Sequence, residues 1–317
     1  MPPVGEKSLI DQIRRRVRVG ASVVSGIGDD CAVLRVPAGH QLLVTTDFTL
    51  ENVHFRREWH PPKVVGWRCL TRGLSDIAAM GGKPRAAFLS IALERAVSQK
   101  WVDRFLAGLL EAAEEFRVPL AGGDTAQSVG GIQADIVVVG SVPTGTAVLR
   151  SGARPGDGIY VTGELGGSAA AIARLREGKV RAADFERHFH PVARVKVGQW
   201  LRRRWLASAM IDISDGLSTD LEHICKESGV GAEIEVAAIP RARVGRPAQQ
   251  VDMDLALHGG EDYELLFTSA KKVPAKVAGI PITKIGQTTR KGGMMLAEEG
   301  GGRRKLAARG WEHFKRN

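Results

Sequence analysis

Acidic residues flanked by glycine, serine or threonine recur along this chain. They occur in GIGDD, TTD, LSD, GGD, DISDG and GGED, at residues 26–30, 45–47, 74–76, 122–124, 212–216 and 259–262. None of these motifs contains a Lys or Arg that would neutralise its carboxylates. Mg²⁺ binds a few carboxylates, retains several waters and usually fills its remaining positions with substrate phosphates. The pattern therefore predicts a Mg²⁺–nucleotide site assembled from loops far apart in the sequence.

A simpler interpretation is that each segment only makes a turn or caps a helix, because Gly-Asp and Ser-Asp pairs are common in turns. The neighbouring residues favour a shared site. Five of the six segments adjoin an apolar run, as in LLVTTD, VPLAGGD and GGEDYELLF. Acids at the ends of buried strands, where the chain turns out of the core, are positioned to line one cleft.

Apolar runs and helical periods define the framework that must hold these acids. Strands are expected at 41–46, 86–93, 132–140, 158–162, 232–239, 264–270 and 282–288, and helices at 63–82, 98–116, 166–178, 195–208 and 217–229. The Gly- and Pro-rich segment 151–158 ends the first alternation of strands and helices. The sequence predicts a mixed α/β fold of two domains, residues 1–150 and 151–317, each a mixed sheet packed with helices.

Composition limits the cellular location and the cysteine chemistry that we expect. No apolar run approaches the roughly 18 residues of a membrane helix, and the N-terminus lacks the features of a signal peptide. We therefore expect a soluble, cytoplasmic protein without a membrane partner. Cys31, Cys69 and Cys225 are widely separated and form no CxxC spacing. They indicate neither a disulfide framework nor a zinc site, and are expected to be small core residues.

The net charge of +10 raises the question of nucleic-acid binding. Much of this charge is local, at residues 202–204 and in the tail after residue 301. The sequence has no aromatic interleaving typical of an RNA-binding sheet, no helix-turn-helix pattern and no zinc finger. We expect no nucleic-acid partner, since a basic potential that attracts small anionic substrates explains the charge equally well.

Several nucleotide-binding and catalytic motifs are missing. There is no P-loop, GIGDDC lacks the third glycine of a dinucleotide fingerprint, and no GxSxG is present. GELGGS at 163–168 could bind a phosphate on backbone N–H groups at a helix N-terminus, or could be a structural turn. HFH at 188–190 is expected to be a solvated segment before Pro191.

The order and spacing of the motifs resemble the thiamine-monophosphate kinase family, whose superfamily includes aminoimidazole ribonucleotide synthetase and selenophosphate synthetase. The resemblance spans essentially the whole chain, through GIGDDCAVL, LSDIAAMGGKPRAAFLSIAL, LAGGDT, IDISDGLSTDLEHI, HGGEDYELLF and GWEHF. It implies ATP-dependent phosphorylation of thiamine monophosphate to thiamine diphosphate with several Mg²⁺ ions. It also implies a homodimer in which the N-terminal sheets pair.

Carried over position by position, the resemblance implies metal ligands at Asp30, Thr45, Thr46, Asp47, Asp76, Asp124, Asp212 and Asp215. It implies ATP contacts from Gly123, Asp124, Phe105, Arg150 and Ser214, and thiamine monophosphate contacts from His54, Glu261 and Trp311. Other roles stay open for four of these residues. Arg150 could form a surface ion pair, Trp311 could pin the tail, His54 could be a surface cap, and Phe105 lies on a core stripe.

The proposed chemistry suits the residue types. The attacking oxygen belongs to a phosphate, which is already ionised near neutral pH because its second pKa is about 6. No general base is required, and the sequence contains none of the usual nucleophile–base arrangements. Direct in-line transfer without a covalent catalytic residue is therefore expected. Glu261 and Trp311 suit a thiazolium cation through Coulomb attraction and a cation–π contact.

The competing interpretations are another ATP-using enzyme of the same superfamily, a nucleotide-binding regulator without turnover, and a basic nucleic-acid-associated protein. NVHF, GGEDYEL and the terminal GWEHF resemble the kinase branch. Acids are intact in all six motifs, which argues against a regulator that has lost its catalytic role.

Overall fold

The computed structural model describes residues 6–17, 20–25, 27, 32–178 and 180–312. The chain divides into two compact units. The N-terminal unit comprises residues 1–77 and 82–145, and the C-terminal unit comprises residues 78–81 and 146–317. Both contain sheets and helices, which confirms the expected mixed α/β fold class. Among the described residues, no helix is long and apolar enough to cross a membrane.

The N-terminal unit is built on a four-stranded sheet. In chain order its elements are α1 (Glu6–Arg16), β1 (Val23–Ser25), β2 (Val33–Leu34), β3 (His40–Leu50), α2 (Pro62–Ala79), β4 (Lys83–Leu93), α3 (Gln99–Glu115), β5 (Leu120–Gln127) and β6 (Gln133–Pro143). The sheet order is β3–β6–β4–β5, with only β4 and β5 parallel. β1 and β2 form a separate antiparallel pair.

Helices α2 and α3 approach closely because glycines stand at their crossing. A Cβ at Gly66 would lie 1.9 Å from the Phe105 carbonyl oxygen, and one at Gly108 would lie 1.8 Å from the Lys63 carbonyl oxygen. Any larger residue would force the helices apart. α2 ends where Gly81 adopts a φ of +67°, and Ser98 caps α3 by accepting a hydrogen bond from the Trp101 N–H at 3.3 Å. Both predicted helices are therefore confirmed, with slightly shorter bounds.

The strand alternation of β3 separates a covered face from an open one. Leu43, Thr45, Asp47 and Thr49 are buried or half-buried, whereas the intervening residues are exposed. The exposed apolar residues are Leu42 at 47%, Val44 at 66% and Phe48 at 58%. The sheet thus presents an unburied apolar strip along its β3 edge.

The C-terminal unit is built on a larger, mostly antiparallel sheet. Its strands are β7 (Gly158–Thr162), β8 (Ala209–Asp212), β9 (Gly231–Glu235), β10 (Arg243–Val244), β11 (Gln249–Gln250), β12 (Leu265–Ser269), β13 (Lys276–Val277), β14 (Ile280–Thr289), β15 (Met294–Ala297) and β16 (Arg303–Lys305). Its helices are α4 (Gly167–Arg176), α5 (Glu186–Phe189), α6 (Val195–Arg203), α7 (Leu217–Ser228) and α8 (Met253–His258). The sheet order is β16–β15–β9–β14–β7–β12–β8, with β13 beside β14 and only β15 and β9 parallel. β10 and β11 form a separate hairpin.

The structure departs from the sequence-based expectations in several places. The strand expected over 232–239 ends at Glu235 and is followed by a 3₁₀ turn at Val236–Ala238. β5 contains the GGD motif, which had been expected to form a turn. α6 ends at Arg203 because Trp205 adopts a φ of +53°, so the helix expected over 195–208 is shorter. The HFH segment is solvated only at His190, since Phe189 is buried and His188 is fully buried, with its Nδ1 2.8 Å from Ser168 Oγ. Cys69 and Cys225 are buried free thiols, as expected, whereas Cys31 lies outside the described residues.

Candidate functional site

The covered face of the N-terminal sheet brings two expected metal ligands against α2. Thr45 and Asp47 lie two residues apart on β3 and therefore share a face. Arg72 and Asp76 lie four residues apart on α2 and also share a face. Thr45 Oγ1 donates a hydrogen bond to Asp76 Oδ2. Arg72 Nε donates to Asp47 Oδ1 at 3.0 Å. The spacing of the two elements thus pairs each strand residue with one helix residue.

Arg72 changes the interpretation of the TTD motif. The motif itself holds no cation, but Arg72 supplies one from a distant segment, and only 13% of its side chain is exposed. The Asp47 carboxylate is therefore partly neutralised within the chain. Arg72 precedes Asp76 by four residues in LTRGLSD, and this i,i+4 spacing is the sequence pattern that could have indicated Arg72.

The open face of the same sheet carries a second set of side-chain oxygens. Thr46 Oγ1 donates to Asp135 Oδ1 at 2.6 Å. Across the ladder, Asp135 pairs with Ser90, and Ser90 pairs with Asp124. Neighbouring strands lie about 4.8 Å apart, so Asp135 and Asp124 are about 10 Å apart on one face. Asp135 is not among the residues predicted from sequence, although its position as an acid inside the apolar run IQADIVVVG could have indicated it.

Gly123 allows β5 to approach β4 closely. Its φ is +147°, and a Cβ at this position would lie 1.8 Å from the Leu89 carbonyl oxygen. No side chain fits there, so the strand that carries Asp124 approaches β4 only with glycine at this position. Asp124 Oδ1 accepts a hydrogen bond from the Thr125 N–H at 2.8 Å, which orients its carboxylate.

The remaining N-terminal candidates have different surroundings. His54 is half-buried, and its Nδ1 accepts a hydrogen bond from the Leu50 N–H at 3.0 Å. In the neutral ring, the proton is therefore on Nε2. Phe105 is fully buried and stacks on Trp101 at a centroid distance of 5.4 Å, so in this chain it belongs to the core and presents no surface to a nucleotide. Asp30, with the rest of GIGDD except Ile27, lies outside the described residues.

The C-terminal unit brings three distant motifs together around the DISDG turn. The Ser214 carbonyl accepts a hydrogen bond from the Glu261 N–H at 2.8 Å, and the Asp215 carbonyl accepts one from the Trp311 N–H at 2.9 Å. Glycines make this approach possible. A Cβ at Gly260 would lie 2.4 Å from the Ser214 oxygen, and one at Gly310 would lie 2.1 Å from the Asp215 oxygen. DISDG, GGED and the GW pair therefore form one cluster.

Negative charge is concentrated at this turn. Asp220, in the first turn of α7, accepts hydrogen bonds from the Asp215 N–H at 3.2 Å and the Gly216 N–H at 3.0 Å. Burial raises the pKa of Asp220 well above its ordinary value, and the nearby Asp212 and Asp215 raise it further. Asp220 was missed from sequence, although it occupies the buried face of α7 together with Leu217, Leu221 and Ile224.

The GGED loop is held in an unusual backbone conformation. Glu261 and Tyr263 have φ values of +62° and +52°, which residues other than glycine rarely adopt. Asp262, between them, is buried and accepts hydrogen bonds from the Gly166 N–H at 2.6 Å and the Ser168 N–H at 3.2 Å. Burial raises the pKa of Asp262 to about 7. Two N–H groups of GELGGS are thus occupied by this carboxylate, which favours a structural role for that turn over phosphate binding.

Glu264 anchors the end of the same loop. Arg194 Nε donates to Glu264 Oε2 at 2.6 Å, and the Thr162 hydroxyl donates to the same oxygen at 2.6 Å. Glu264 is almost fully buried, and Arg187 Nη1 also donates to it at 3.3 Å. The carboxylates of GGEDYEL therefore divide their roles. Asp262 and Glu264 fix the loop from within, and Glu261 lies beside the DISDG turn.

Trp311 and Arg150 are both exposed. The Trp311 side chain is 53% exposed beside the DISDG turn, so it does not serve mainly as a buried anchor for the tail. Arg150 is held through its backbone, because the Ser228 hydroxyl donates to its carbonyl at 2.7 Å. A cavity of about 360 Å³ adjoins it, with Leu149, Ser151 and Ser208 among its lining residues. The backbone of Arg150 is thus held by Ser228 and not by a residue of the DISDG cluster.

The donor chemistry fits Mg²⁺ bound together with a nucleotide. Each unit presents carboxylate and hydroxyl oxygens, the ligands that hard cations prefer. Within the part of the chain that the structure describes, no three His, Cys, Asp or Glu side chains are grouped so that they could hold a metal ion by themselves. Mg²⁺ usually binds through one or two carboxylates plus waters and substrate phosphates, so such a cluster is not required. The carboxyl groups of Asp212 and Asp215 lie near enough to Asp220 to raise its pKa, and a bound cation would relieve this repulsion.

Comparison with known proteins gives consistent relatives over the whole chain. Residues 28–142 match the AIR synthase related protein N-terminal domain, and residues 154–297 match the corresponding C-terminal domain. The thiamine-monophosphate kinase of Escherichia coli K12 is 39% identical over 98% of this chain and 98% of its own length. That of Bacillus subtilis is 34% identical over 90% of this chain and 92% of its own length.

Solved structures agree with the sequence relatives. The thiamine-monophosphate kinase from Stenotrophomonas maltophilia superposes with a TM-score of 0.82 at 34% identity, covering 94% of this chain and 96% of its own. The structure of AaThiL complexed with AMPPCP and TMP superposes with a TM-score of 0.78 at 32% identity, covering 98% of this chain and 97% of its own.

Proposed function

Because this chain belongs to the thiamine-monophosphate kinase family, we propose that it transfers the γ-phosphoryl group of ATP to thiamine monophosphate, forming thiamine diphosphate. The observation that carries the proposal is the convergence of DISDG, GGED and Trp311 in one cluster. That cluster combines acids suited to Mg²⁺–phosphate with an exposed indole and a carboxylate suited to a cationic ring. The solved relative complexed with AMPPCP and TMP supports the same pair of ligands.

The nucleotide and its metals are assigned to both parts of the chain. We assign Mg²⁺–ATP binding and dimerisation to residues 1–150, and further nucleotide, metal and substrate contacts to residues 151–317. Mg²⁺ ligands are assigned to Asp30, Thr45, Thr46, Asp47, Asp76, Asp124, Asp212 and Asp215, and ATP contacts to Gly123, Asp124, Arg150 and Ser214. Bound Mg²⁺ neutralises the phosphate charge that builds up when two phosphate groups are brought together. The exposed Arg150 side chain adds donors for a phosphate oxygen.

Glu261, Trp311 and His54 are assigned to thiamine monophosphate. The Glu261 N–H donates to the Ser214 carbonyl and the Trp311 N–H donates to the Asp215 carbonyl, so both residues lie at the DISDG turn. A carboxylate attracts the thiazolium charge, and an indole face adds a cation–π contact of about 0.5–2 kcal/mol. His54 is assigned a contact through Nε2, which carries the proton when Nδ1 accepts the Leu50 N–H.

The reaction is assigned a direct in-line displacement. The acceptor phosphate is anionic near neutral pH, so no side chain has to remove a proton from it. The chain's residues then have three tasks, which are to hold the two substrates, to orient their phosphates and to balance charge. A chiral γ-thiophosphate donor distinguishes the routes, because one displacement inverts the configuration at phosphorus and two retain it. Retention would refute this mechanism.

A homodimer is part of the proposal. The apolar strip of Leu42, Val44 and Phe48 on the open sheet face is the supporting observation, since exposed apolar patches mark interaction surfaces. A second copy would cover it by pairing its own N-terminal sheet. A cytoplasmic location is also proposed, and the buried free thiols of Cys69 and Cys225 are consistent with a reducing compartment.

One assay tests the proposed activity. Purified protein is incubated with ATP, Mg²⁺ and thiamine monophosphate, and thiamine diphosphate is measured by chromatography. Aminoimidazole ribonucleotide synthetase and selenophosphate synthetase substrates are tested in parallel. Formation of thiamine diphosphate supports the kinase, whereas turnover of only one of the other substrates would favour the alternative superfamily activity. ATP binding without turnover of any substrate would favour a regulator.

A further inference from the structure

We infer that His258, Ser218 and Arg309 form a latch that positions the C-terminal segment carrying Trp311, and that this latch sets the affinity for thiamine monophosphate. The inference rests on the substrate contact proposed for Trp311. None of the three residues is assigned a contact with metal or substrate, so they are positioning residues.

The latch is a chain of short contacts between α7, α8 and the tail. Ser218 Oγ lies 2.7 Å from His258 Nδ1, and Arg309 Nη2 lies 2.7 Å from His258 Nε2. The Arg309 N–H donates to Ser218 Oγ at 3.3 Å. Arg309 Nη2 also donates to Asp254 Oδ1 at 2.7 Å. Arg309 is thus held through both its backbone and its guanidinium.

The same tail segment continues directly into the candidate site. After Arg309, the Gly310 N–H donates to Thr219 Oγ1 at 3.0 Å, and the Trp311 N–H donates to the Asp215 carbonyl. Three consecutive tail amides are therefore bound by residues of DISDG and the first turn of α7. Because Trp311 is 53% exposed, burial fixes its position only in part, and these backbone contacts and the latch contribute to it.

The partners of His258 fix its protonation state. A guanidinium has no acceptor, so His258 Nε2 must accept from Arg309 and the ring proton must lie on Nδ1. Nδ1–H then donates to Ser218 Oγ. A second proton on Nε2 would remove the Arg309 hydrogen bond and place two positive charges in contact. The latch therefore requires neutral imidazole.

Burial and two arginines keep His258 neutral near pH 7. Burial is the main cause that lowers the pKa of His258, and Arg309 and Arg304 lower it further, whereas Asp254 raises it. Because this pKa is lower in the folded protein, the latch is intact at neutral pH and is lost as the pH falls through the folded pKa. The affinity for thiamine monophosphate should weaken over the same range.

Three variants dissect the latch. His258→Asn keeps a polar atom near the position of Nδ1 but loses the one at Nε2, so this variant breaks the Arg309 contact. Arg309→Gln breaks the latch from the exposed tail side, and Ser218→Ala removes the shared acceptor. We expect His258→Asn and Arg309→Gln to raise KM for thiamine monophosphate about tenfold, with kcat and KM for ATP changed less than about twofold.

A matched control and a structural readout accompany the kinetics. Arg303→Gln removes the same charge from an equally exposed tail arginine, which pairs with Glu233 rather than with His258. Hydrogen exchange of the C-terminal peptide, measured by mass spectrometry, should be faster in the latch variants and unchanged in this control. The rise in KM on acidification should be present in the wild type and absent in His258→Asn.

The outcomes separate the latch from the activity. Unchanged exchange in both His258→Asn and Arg309→Gln would overturn the latch, as would an equal effect of Arg303→Gln. If faster exchange left KM for thiamine monophosphate unaltered, its role in affinity would be refuted. A wild-type protein that does not phosphorylate thiamine monophosphate would refute the proposed function and, with it, this role in affinity, while the exchange rates would still decide whether the tail is latched.

Discussion

The two units present their acidic residues in different ways. In the N-terminal unit the acids lie within regular elements, on β3, α2, β5 and β6, and side chains from neighbouring elements bind Asp47, Asp76 and Asp135. In the C-terminal unit Asp212 ends β8 and Asp220 lies in the first turn of α7, on either side of the DISDG turn. Backbone hydrogen bonds between segments that glycines allow to approach hold this turn against the GGED loop. The first arrangement fixes side chains through strand and helix spacing, and the second through close packing of loops.

This difference suggests a division of labour. A ladder of strands gives little freedom to move, which suits oxygen ligands that must meet the fixed geometry of a metal–nucleotide complex. Turns with positive φ at Glu261 and Tyr263 are sustained only by their surroundings. Such turns are common at ligand sites, and this one carries Glu261, which is assigned to thiamine monophosphate. Substitutions in the two units should therefore differ in kind.

The largest effect is expected from the N-terminal acids. Asp47→Asn and Asp124→Asn remove a ligand charge without creating a cavity, so kcat should fall at least about 10²-fold while the fold is retained. Steady-state kinetics over a range of Mg²⁺ concentrations provide the measurement. Glu111→Gln is the matched control, because Glu111 forms an exposed pair with Lys63 at 2.6 Å. Near-normal rates at low Mg²⁺ in both variants would show that the metal site is wrongly placed.

The second prediction concerns assembly through the open sheet face. Val44→Glu places a charge in the centre of the apolar strip and should convert a dimer to a monomer, as measured by analytical ultracentrifugation. Val129→Glu adds the same charge at a fully exposed loop valine and should leave the assembly unchanged. A wild-type protein that sediments as a monomer would contradict the proposed dimer.

The sequence was most informative where periodicity and glycine positions decide the structure. The helix over 98–116 and its buried residues Phe105, Leu109 and Ala112 followed from a single apolar stripe. The stop of α2 at Gly81 followed from the glycine pair before Pro84. The convergence of DISDG and GGED was expected only as a shared cleft, because long-range pairing cannot be read from local patterns.

The errors share a physical cause. TTD and GGD were expected at strand ends, yet β3 continues beyond Asp47 to Leu50 and β5 runs through Gly122–Asp124. Thr45 and Asp47 are tolerated on the covered face because Asp76 and Arg72 bind them. Thr46 lies on the open face, and Gly123 is required where β5 approaches β4. Arg72 and Asp135 were missed because each binds a residue from another segment, and tertiary structure identifies such partners. Asp220 was missed although its partners, the Asp215 and Gly216 N–H groups, are local, because its burial depends on the packing of α7.

A third prediction sharpens the contrast by testing the C-terminal cluster. Trp311→Ala and Glu261→Gln should raise KM for thiamine monophosphate about tenfold and leave KM for ATP nearly unchanged, since each removes only a contact with the cationic rings. Trp205→Ala is the control, because Trp205 is a similarly exposed indole, at 64%, in the same unit. An effect confined to ATP, or unfolding of Trp311→Ala, would assign structural roles to these residues.

The smallest effect is expected at Asp262, whose substitution tests whether the GGED loop is held from within. With a folded pKa of about 7 against an ordinary value of 3.8, Asp262 keeps a proton in the folded protein that the unfolded chain releases over this range. The folded state then binds more protons, so stability falls as pH rises from about 4 to about 7.

Asp262→Asn cannot ionise and should lack this slope. The difference in Tm between wild type and variant should therefore be larger at pH 5 than at pH 8, by about 5 °C, in thermal melts followed by circular dichroism. Asp103→Asn, at a half-exposed acid on α3 of the N-terminal unit, should leave the slope unchanged. Equal slopes for wild type and Asp262→Asn would mean that the carboxylate is ionised throughout, and that the N–H groups of Gly166 and Ser168 offset its burial completely.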